Sequence, residues 1–346
     1  MSPMIWTTLI ISLTTSTTIV MTSHHWLLAW LSLELNTLSI LPMIMRSSHP
    51  RTTEAATKYF LIQTTAATLI LLASTMNAWQ TGSWNIMQSY SPMATTITTV
   101  AVMMKLAIAP AHLWYPEILQ GTTMTTALII STWQKIAPLA LLYLLTNHLS
   151  TNTVLLLGLV SALLGGWTGL NQTQTRKILA FSSISHMGWL VTALCLNPSL
   201  ATLTMITYMT MTTTMFLSLT ASTSKTLLDL GASWTHSPML LTTTMLALLS
   251  LAGLPPLTGF MPKLLILKEL VTMKLLAIST ALALTSLPNL AFYTRMAYLT
   301  TLTTPPNTTN SEYKWRFKTP MSPLIPTTAL LTTLTLPMTP LLYLAT

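Results

Sequence analysis

The stretch AATLILLASTM, from Ala66 to Met76, decides the fold class of this chain. It is a run of apolar and hydroxyl-bearing residues in which polar and apolar positions do not alternate. The strands of a membrane β-barrel alternate in polarity over about ten residues, whereas a membrane helix needs no such alternation. Threonine hydroxyls in a membrane helix bond back to carbonyls of the preceding turn. The stretch therefore predicts a membrane-spanning helix.

The same composition extends over the whole chain. Of its 346 residues, 51% are hydrophobic and only 6% are charged. Because a soluble globular domain carries about a quarter charged residues, this chain cannot build a surface that faces water. A backbone in lipid must satisfy its own hydrogen bonds, so the expected fold is an all-α polytopic membrane protein.

Charge and cysteine content exclude several classes of function. The formal net charge is +9, but the basic residues stand singly between apolar spans, which is typical of membrane loops and argues against nucleic-acid binding. A single cysteine, Cys195, excludes a disulfide framework, and an iron–sulfur cluster held by this chain alone. The N-terminus lacks a basic region and a cleavage site, so it reads as a first span rather than a removed signal peptide.

Windows of about twenty residues predict about eleven transmembrane helices. Their approximate limits are 2–21, 25–45, 57–78, 93–114, 123–145, 152–170, 177–195, 200–221, 238–267, 275–298 and 323–343. We expect a single membrane domain over 1–346. Its predicted parts are a first repeat at about 25–145, a second at about 152–298, and flanking helices at 2–21 and 323–343.

The basic residues predict the orientation in the membrane. On alternate faces of the predicted spans, one face collects Arg46, Arg51, Lys58, Arg176, Lys177, Lys225, Arg295, Lys314, Arg316 and Lys318. The other face has little beyond Lys268 and Lys274. The richer face should meet the negative compartment. With an odd number of spans, the N-terminus lies on that side and the C-terminus lies opposite.

Two predicted spans contain prolines that interrupt a helix. The fourth reads MMKLAIAPAHLWYPEILQG and the ninth LLSLAGLPPLTGFMPKLLILKEL. Laid over each other without gaps, Leu106-Ala107 matches Leu251-Ala252 and Pro110 matches Pro255, but Pro116 falls one residue short of Pro262. The two spans lie five apart, and a repeat of five crossings is inverted in the membrane. Paired broken helices in inverted five-helix repeats are where transporters place ion sites; the alternative is a simple proline kink in each.

Ionisable side chains inside the predicted spans are the candidate functional residues, because each costs about 2.5–3.5 kcal/mol to insert at mid-membrane. They are Glu34, Lys105, Lys135, Lys263, His112 and His186. A buried lysine whose partner moves can load and release a proton. By charge, Glu34 and Lys105 form the natural switching pair if spans two and four are neighbours. On this hypothesis Lys135 stores a proton centrally and His186 passes protons between the halves.

Structural interpretations remain open for the same residues. Glu34 with Lys105 is also explained by a static ion pair that fixes helix packing. Lys135 and Lys263 are also explained as lysines that extend toward a membrane interface. Each of the two histidines is also explained as a core residue with its hydrogen bonds satisfied.

Five blocks of the sequence resemble a known family. They are EAATKYFLIQ (54–63), KLAIAPAHLWYPEILQG (105–121), QKIAPLALL (134–142), TRKILAFSSISHMGW (175–189) and GLPPLTGFMPK (253–263). Together they closely resemble the subunit 2 family of mitochondrial NADH:ubiquinone oxidoreductase, respiratory complex I, within the wider group of antiporter-like subunits. The first break here reads PAHLW where the family more often has PFHFW, a difference expected to alter packing only.

The resemblance implies a proton-translocating subunit of the complex I membrane arm, in the mitochondrial inner membrane, with its N-terminus on the matrix side and its C-terminus facing the intermembrane space. It implies that Glu34, Lys105, Lys135 and Lys263 handle protons. It places NADH, FMN, iron–sulfur clusters and ubiquinone in partner subunits, with no cofactor or metal on this chain. The implied partners are neighbouring antiporter-like and small membrane subunits, and lipids such as cardiolipin.

Two other functions fit the same composition. A stand-alone cation/proton antiporter of related fold would exchange ions as a purified chain. A structural scaffold subunit would bind its neighbours and lipids while other subunits pump.

Overall fold

The computed structural model describes residues 3–46, 49–88, 91–232, 237–302 and 322–339. Across those ranges the chain forms helices and no β-strand. The α-helices are α1 (Pro3–Thr22), α2 (Trp26–Ile44), α3 (Pro50–Thr81), α4 (Pro92–Lys105), α5 (Trp114–Gly121), α6 (Met124–Ser131), α7 (Ile136–Leu144), α8 (Thr151–Gly169), α9 (Thr175–Leu196), α10 (Pro198–Ser222), α11 (Leu227–Ala232), α12 (Pro238–Ala252), α13 (Phe260–Thr272), α14 (Leu276–Leu302) and α15 (Leu324–Leu334).

The chain divides into two compact units, Met1–Gly158 and Leu159–Thr346. In the first unit α3 packs against α2, α4 and α5, and α1 packs against α2 and α7. In the second unit α10 packs against α9, α12 and α15, and α12 also packs against α14. The internal repeats proposed above remain a prediction.

The polytopic helical fold is confirmed. Within the described ranges, eight helices are long and apolar enough to cross a membrane, and they coincide with predicted spans one, two, three, five, six, seven, eight and ten. Spans four and nine are the two broken helices. The eleventh corresponds to α15, an apolar helix of 11 residues.

Some predictions fall on residues that the structure does not describe. The predicted loop with Pro305 and Pro306, its basic residues Lys314, Arg316 and Lys318, and the end of the predicted span 323–343 lie there. The predicted orientation in a membrane therefore stays a prediction.

The two predicted breaks are confirmed, and both α4 and α12 end in the same hydrogen-bonded turn. In α4, the Ile108 amide donates to the Met103 carbonyl (3.0 Å) and the Ala107 amide donates to the Met104 carbonyl (3.2 Å). Ala107 has a φ of 60°, in the left-handed region. This pattern is the Schellman motif, which satisfies carbonyls that the helix leaves open at its C-terminus.

In α12 the Leu254 amide donates to the Leu249 carbonyl (3.4 Å) and the Gly253 amide donates to the Ser250 carbonyl (3.0 Å). Gly253 has a φ of 83° and takes the place of Ala107. Glycine adopts that backbone conformation without the steric cost that a Cβ brings.

The shared turn corrects the ungapped alignment of the two breaks. Because Ala107 and Gly253 hold the same left-handed position, Pro110 corresponds to Pro256 rather than to Pro255. The same register pairs Pro116 with Pro262 without a gap. The alignment was off by one residue because it matched residue letters, whereas the backbone is fixed by the residue that ends the helix.

The fifth span is interrupted too, which the sequence reading did not predict. A 3₁₀ turn, Trp133–Lys135, lies between α6 and α7. Proline has no amide hydrogen, so Pro138 cannot donate to the carbonyl of Gln134, and its ring crowds that carbonyl. The segment directly before α7 therefore has the tighter hydrogen bonds of a 3₁₀ turn.

The short helix α11 also lies outside the predicted spans. Its N-terminus is closed by a reciprocal capping box. The amides of Thr226 (2.9 Å) and Lys225 (3.1 Å) donate to Oδ2 of Asp229, and the Asp229 amide donates to Oγ1 of Thr226 (3.3 Å). The hydrogen bond from the Thr226 amide is the main reason that the pKa of Asp229 lies below its usual value.

Candidate functional site

Lys105 is the last residue of α4, directly before the first break. Its side chain is 6% exposed, and its Nζ atom has no hydrogen-bond partner among the described residues. An ammonium group in such a place lacks the compensation that buried charges normally have. Lys105 is therefore a group that can exchange its proton with whatever enters the space beside it.

That space is a cavity within the first unit, with room for on the order of one water molecule. Lys105 and Lys135 both line it, together with polar side chains from α2, α3 and the 3₁₀ turn: Asn36, Thr37, Tyr59, Gln63 and Gln134. The structure thus brings two of the predicted lysines to one cavity. The sequence reading missed these polar residues, although each is a polar side chain inside a predicted span.

Lys135 lies within the helical segment rather than at its end. It is 3% exposed, and its Nζ atom lies 4.9 Å from the ring centroid of Tyr115, which also lines the cavity. The face of an aromatic ring attracts a cation. This burial argues against the alternative in which Lys135 extends to a membrane interface.

Glu34 does not form the direct ion pair with Lys105 that the sequence suggested. Among the described residues no ion pair within 4.0 Å joins them, and the Oε2 atom of Glu34 is buried without a hydrogen-bond partner. The reason is that α3 packs against both α2 and α4.

His112 lies within the first break, as predicted. Its ring is 6% exposed, and Nδ1 lies 3.1 Å from the carbonyl oxygen of Pro110, two residues earlier. The Tyr115 amide donates to the His112 carbonyl (3.1 Å) as α5 begins. His112 is thus bound to the backbone of its own loop, and it is absent from the residues that line the lysine cavity.

In the second unit Lys263 lies in the first turn of α13 and reaches back across its break. Its Nζ atom donates to the carbonyl of Ala252, the last residue of α12, at 3.0 Å. A cation at a helix C-terminus satisfies an open carbonyl and opposes the negative end of the helix dipole. Lys263 is 8% exposed, so this bond is buried.

Gly253 makes this contact possible. A Cβ at position 253 would lie 2.8 Å from the Nζ atom of Lys263 and 3.2 Å from its Cδ atom. Glycine therefore serves two purposes there: it takes the left-handed φ and it leaves room for the lysine.

The second unit has its own cavity, which His186 and Lys263 line together. The ring of His186 lies 5.8 Å from that of Tyr208, and Thr204, Thr207 and Trp189 complete the polar side of the lining. The structure thus brings four of the six predicted residues to cavities: Lys105 and Lys135 share one, and His186 and Lys263 share another, whereas Glu34 and His112 line neither of them.

Each arrangement places buried titratable side chains on a small cavity that has polar side chains in a mainly apolar lining, a setting in which functional ionisable groups are often found. Within the described ranges, no cluster of three or more His, Cys, Asp or Glu side chains could hold a metal ion. With one cysteine, the chain also lacks the thiolates that an iron–sulfur cluster requires.

Comparison with known proteins adds a family to this geometry. Residues 23–287 match the family of NADH:quinone oxidoreductase/Mrp antiporter transmembrane proteins, and residues 290–343 match the C-terminus of NADH dehydrogenase subunit 2. The NADH-ubiquinone oxidoreductase chain 2 of Aquarana catesbeiana is 49% identical over 347 residues, covering 99% of this chain and 100% of that relative. The chain 2 of Gallus gallus is 50% identical over 333 residues, 96% of each.

A solved structure supports the fold. A chain of respiratory complex I from Thermus thermophilus superposes with a TM-score of 0.86 at 24% identity, over 97% of this chain and 78% of that one. Because both family models match and these relatives are about half identical over nearly the whole chain, this chain belongs to the NADH:quinone oxidoreductase/Mrp antiporter family of membrane proteins, in the branch of NADH dehydrogenase subunit 2.

Proposed function

We propose that this chain is a proton-translocating core subunit of the membrane arm of respiratory complex I, and that it translocates protons with energy released by NADH oxidation and ubiquinone reduction in other subunits. The observation that carries the proposal is the small cavity that two buried lysines, Lys105 and Lys135, line together with other polar side chains. The family to which the chain belongs supports it.

In the proposed cycle, a conformational or electrostatic change from the redox part of the complex alters the field of Glu34 at Lys105. The Lys105 ammonium gives its proton to water in the cavity, and that water passes a proton to a neutral Lys135 amine. Lys105 is then reloaded from the negative compartment. In the second unit, His186 and Lys263 carry the corresponding proton steps, and Lys263 ends the path. His112, which lies on the first break, is a secondary candidate.

The wider setting belongs to the same proposal. The chain lies in the mitochondrial inner membrane with its N-terminus on the matrix side and its C-terminus on the intermembrane-space side, as the distribution of basic residues favours. Its partners are the other membrane-arm subunits, including antiporter-like and small membrane subunits, and lipids such as cardiolipin. FMN, iron–sulfur clusters and the sites for NADH and ubiquinone lie on other subunits, and a chain with one cysteine cannot hold an iron–sulfur cluster by itself.

The substitution Lys105→Met tests the proposal in the assembled complex. Methionine is similar in length and apolar, so it removes the proton carrier while filling the same space. We expect coupled NADH:ubiquinone turnover to fall severalfold. Lys268→Met is the matched control, because Lys268 is exposed on α13 and loses the same charge. Normal turnover with a normal number of protons per electron in Lys105→Met would refute the proposal.

Two further outcomes separate the alternatives. Cation/proton exchange by the purified chain in liposomes, without redox partners, would favour a stand-alone antiporter. A Lys105→Met variant that lowers the amount of assembled complex, but leaves the assembled fraction fully coupled, would favour a structural scaffold.

A further inference from the structure

Two amide side chains join α2 to the 3₁₀ turn of the fifth span in the first unit. Nδ2 of Asn36 donates to Oε1 of Gln134 at 3.1 Å, and Nε2 of Gln134 donates to Oδ1 of Asn36 at 3.2 Å. The same Nε2 atom also lies 3.4 Å from the main-chain carbonyl oxygen of Asn36. Asn36 is 2% exposed and Gln134 is partly exposed, so this reciprocal pair is partly buried.

The pair lies at a segment whose backbone hydrogen bonds are weaker than those of an α-helix. Gln134 lies on the 3₁₀ turn four residues before Pro138, and the hydrogen bonds of a 3₁₀ turn have poorer geometry than those of an α-helix. Lys135 is the next residue on that turn. Whatever fixes the Gln134 side chain therefore also fixes the position of Lys135.

The pair also borders the two lysines. Asn36 and Gln134 both line the cavity that Lys105 and Lys135 share. Carboxamides carry no proton that titrates in the physiological range, so they cannot act as proton carriers. Each amide gives one donor and one acceptor to the other. Their contribution is to geometry.

We propose that Asn36 and Gln134 are positioning residues that set the distance across the cavity between Lys135 and Lys105 by tying the 3₁₀ turn to α2. The inference rests on the proposed function, since it concerns the same proton step. A proton passes through one intervening water only when donor and acceptor are held at hydrogen-bonding reach. The amide pair holds the turn that carries Lys135 in a fixed position for this transfer.

Length exchange between the two side chains tests this idea, because asparagine and glutamine differ by one methylene. The two half-exchanges, Asn36→Gln alone and Gln134→Asn alone, keep both amides but change the combined length of the pair. The full exchange, Asn36→Gln with Gln134→Asn, restores the combined length. Proton transport per electron and NADH:ubiquinone turnover are measured in assembled complexes, with assembly checked by native electrophoresis.

We expect each half-exchange to lower coupled proton transport by about tenfold or more, since a misplacement of about 1 Å between reacting groups can cost about a hundredfold. The full exchange should recover most of the loss, which a general packing role does not predict. Gln134→Met removes the amide and should match the worse half-exchange.

Half-exchanges that pump normally, or a full exchange whose defect is the sum of the two halves, would overturn the inference. So would variants that lower assembly alone while the assembled complexes stay fully coupled. Lys105→Met separates the two proposals: if it is impaired and the half-exchanges are normal, only the positioning role fails. If Lys105→Met is fully coupled, the proposed function itself fails.

Discussion

The two broken helices contain the same backbone turn, but their lysines make different contacts. Both α4 and α12 end in a Schellman turn with a left-handed residue, Ala107 in one and Gly253 in the other. Lys105 stands before its break with an ammonium group that has no hydrogen-bond partner among the described residues, whereas Lys263 stands after its break and donates to the Ala252 carbonyl. The difference teaches that one frame can carry a lysine that is available for exchange and a lysine that closes a helix.

The loops that follow differ in how closely they approach the helix. A Cβ on Gly259 would overlap the carbonyl oxygen of Ser250, in the last turn of α12. At the corresponding position of the first break, Leu113 is 67% exposed. The second loop is therefore packed onto its helix, and the first is open at this point.

The largest expected effect tests that contrast. Gly259→Ala should destabilise the second break by about 3 kcal/mol, because the new Cβ meets backbone that cannot move aside. Leu113→Ala is the matched control in the first break and should cost less than about 1 kcal/mol, since an exposed side chain loses little packing. Hydrogen exchange of the amides at 249–262 and 103–116, followed by mass spectrometry, measures both. An equal loss of protection in the two variants, relative to the parent, would contradict the difference in packing between the two loops.

Removing each lysine in turn sharpens the comparison. Lys263→Met deletes the hydrogen bond to Ala252, and we expect local stability to fall by about 1.5–3 kcal/mol, as for other hydrogen bonds made by charged groups. Lys105→Met deletes no hydrogen bond within the described residues, so its break should keep its protection while coupled transport falls. The measurement is hydrogen exchange at Gly253 and Leu254 against Ala107 and Ile108. Faster exchange in both breaks would mean that Lys105 also supports its helix end.

Thr258 offers a smaller test on the second break alone. Its Oγ1 atom donates to the carbonyl of Thr332 on α15 at 2.7 Å, and both residues are buried. Thr258→Val keeps the shape but removes the donor, at a cost of about 1 kcal/mol. Exchange of amides in 324–334 should then quicken by about fivefold, the factor that corresponds to this energy. Thr327→Val, on the exposed side of α15, is the control; an equal response in both variants would deny the Thr258 contact its role.

The smallest effect is expected at the position that carries opposite charges in the two helices. In the backbone register defined above, Glu117 of α5 corresponds to Lys263 of α13. Glu117 pairs with Lys58 of α3 at 2.5 Å, and both side chains are about half exposed. Ion pairs of this exposure contribute at most about 1 kcal/mol. Glu117→Gln should therefore change the hydrogen-exchange protection of α5 by less than about fivefold. The difference between the parent and the variant should disappear above physiological ionic strength, because salt screens the ion pair of the parent.

Structural features that depend on one type of residue in one segment could be predicted from the sequence. Apolar runs predicted the spans, and prolines predicted the two breaks. The register between the breaks was missed by one residue because a left-handed φ at Ala107 leaves no mark in the residue letters. The 3₁₀ turn was missed although Pro138 was visible, because a single proline inside a span often leaves the helix intact, as Pro42 and Pro288 do here.

Side-chain contacts between helices were harder to predict. Charge alone suggested a direct pair of Glu34 with Lys105, but the packing of α3 against both helices keeps the two apart. The contact that does form across the same region is neutral, between Asn36 and Gln134, and nothing in their sequence spacing of 98 residues predicts it. Which polar residues meet is decided by helix packing, which a sequence pattern specifies only in part.

The Schellman turns have a mechanical consequence. A continuous helix carries an axial displacement from one end to the other through its ladder of hydrogen bonds, and each of these turns ends that ladder. Apart from the helices packed against both, a shift of α13 along its axis therefore reaches α12 through the connecting loop and the bond from Lys263 to Ala252. The two halves of the helix can therefore move separately, and the Lys263 side chain is one of the links between them.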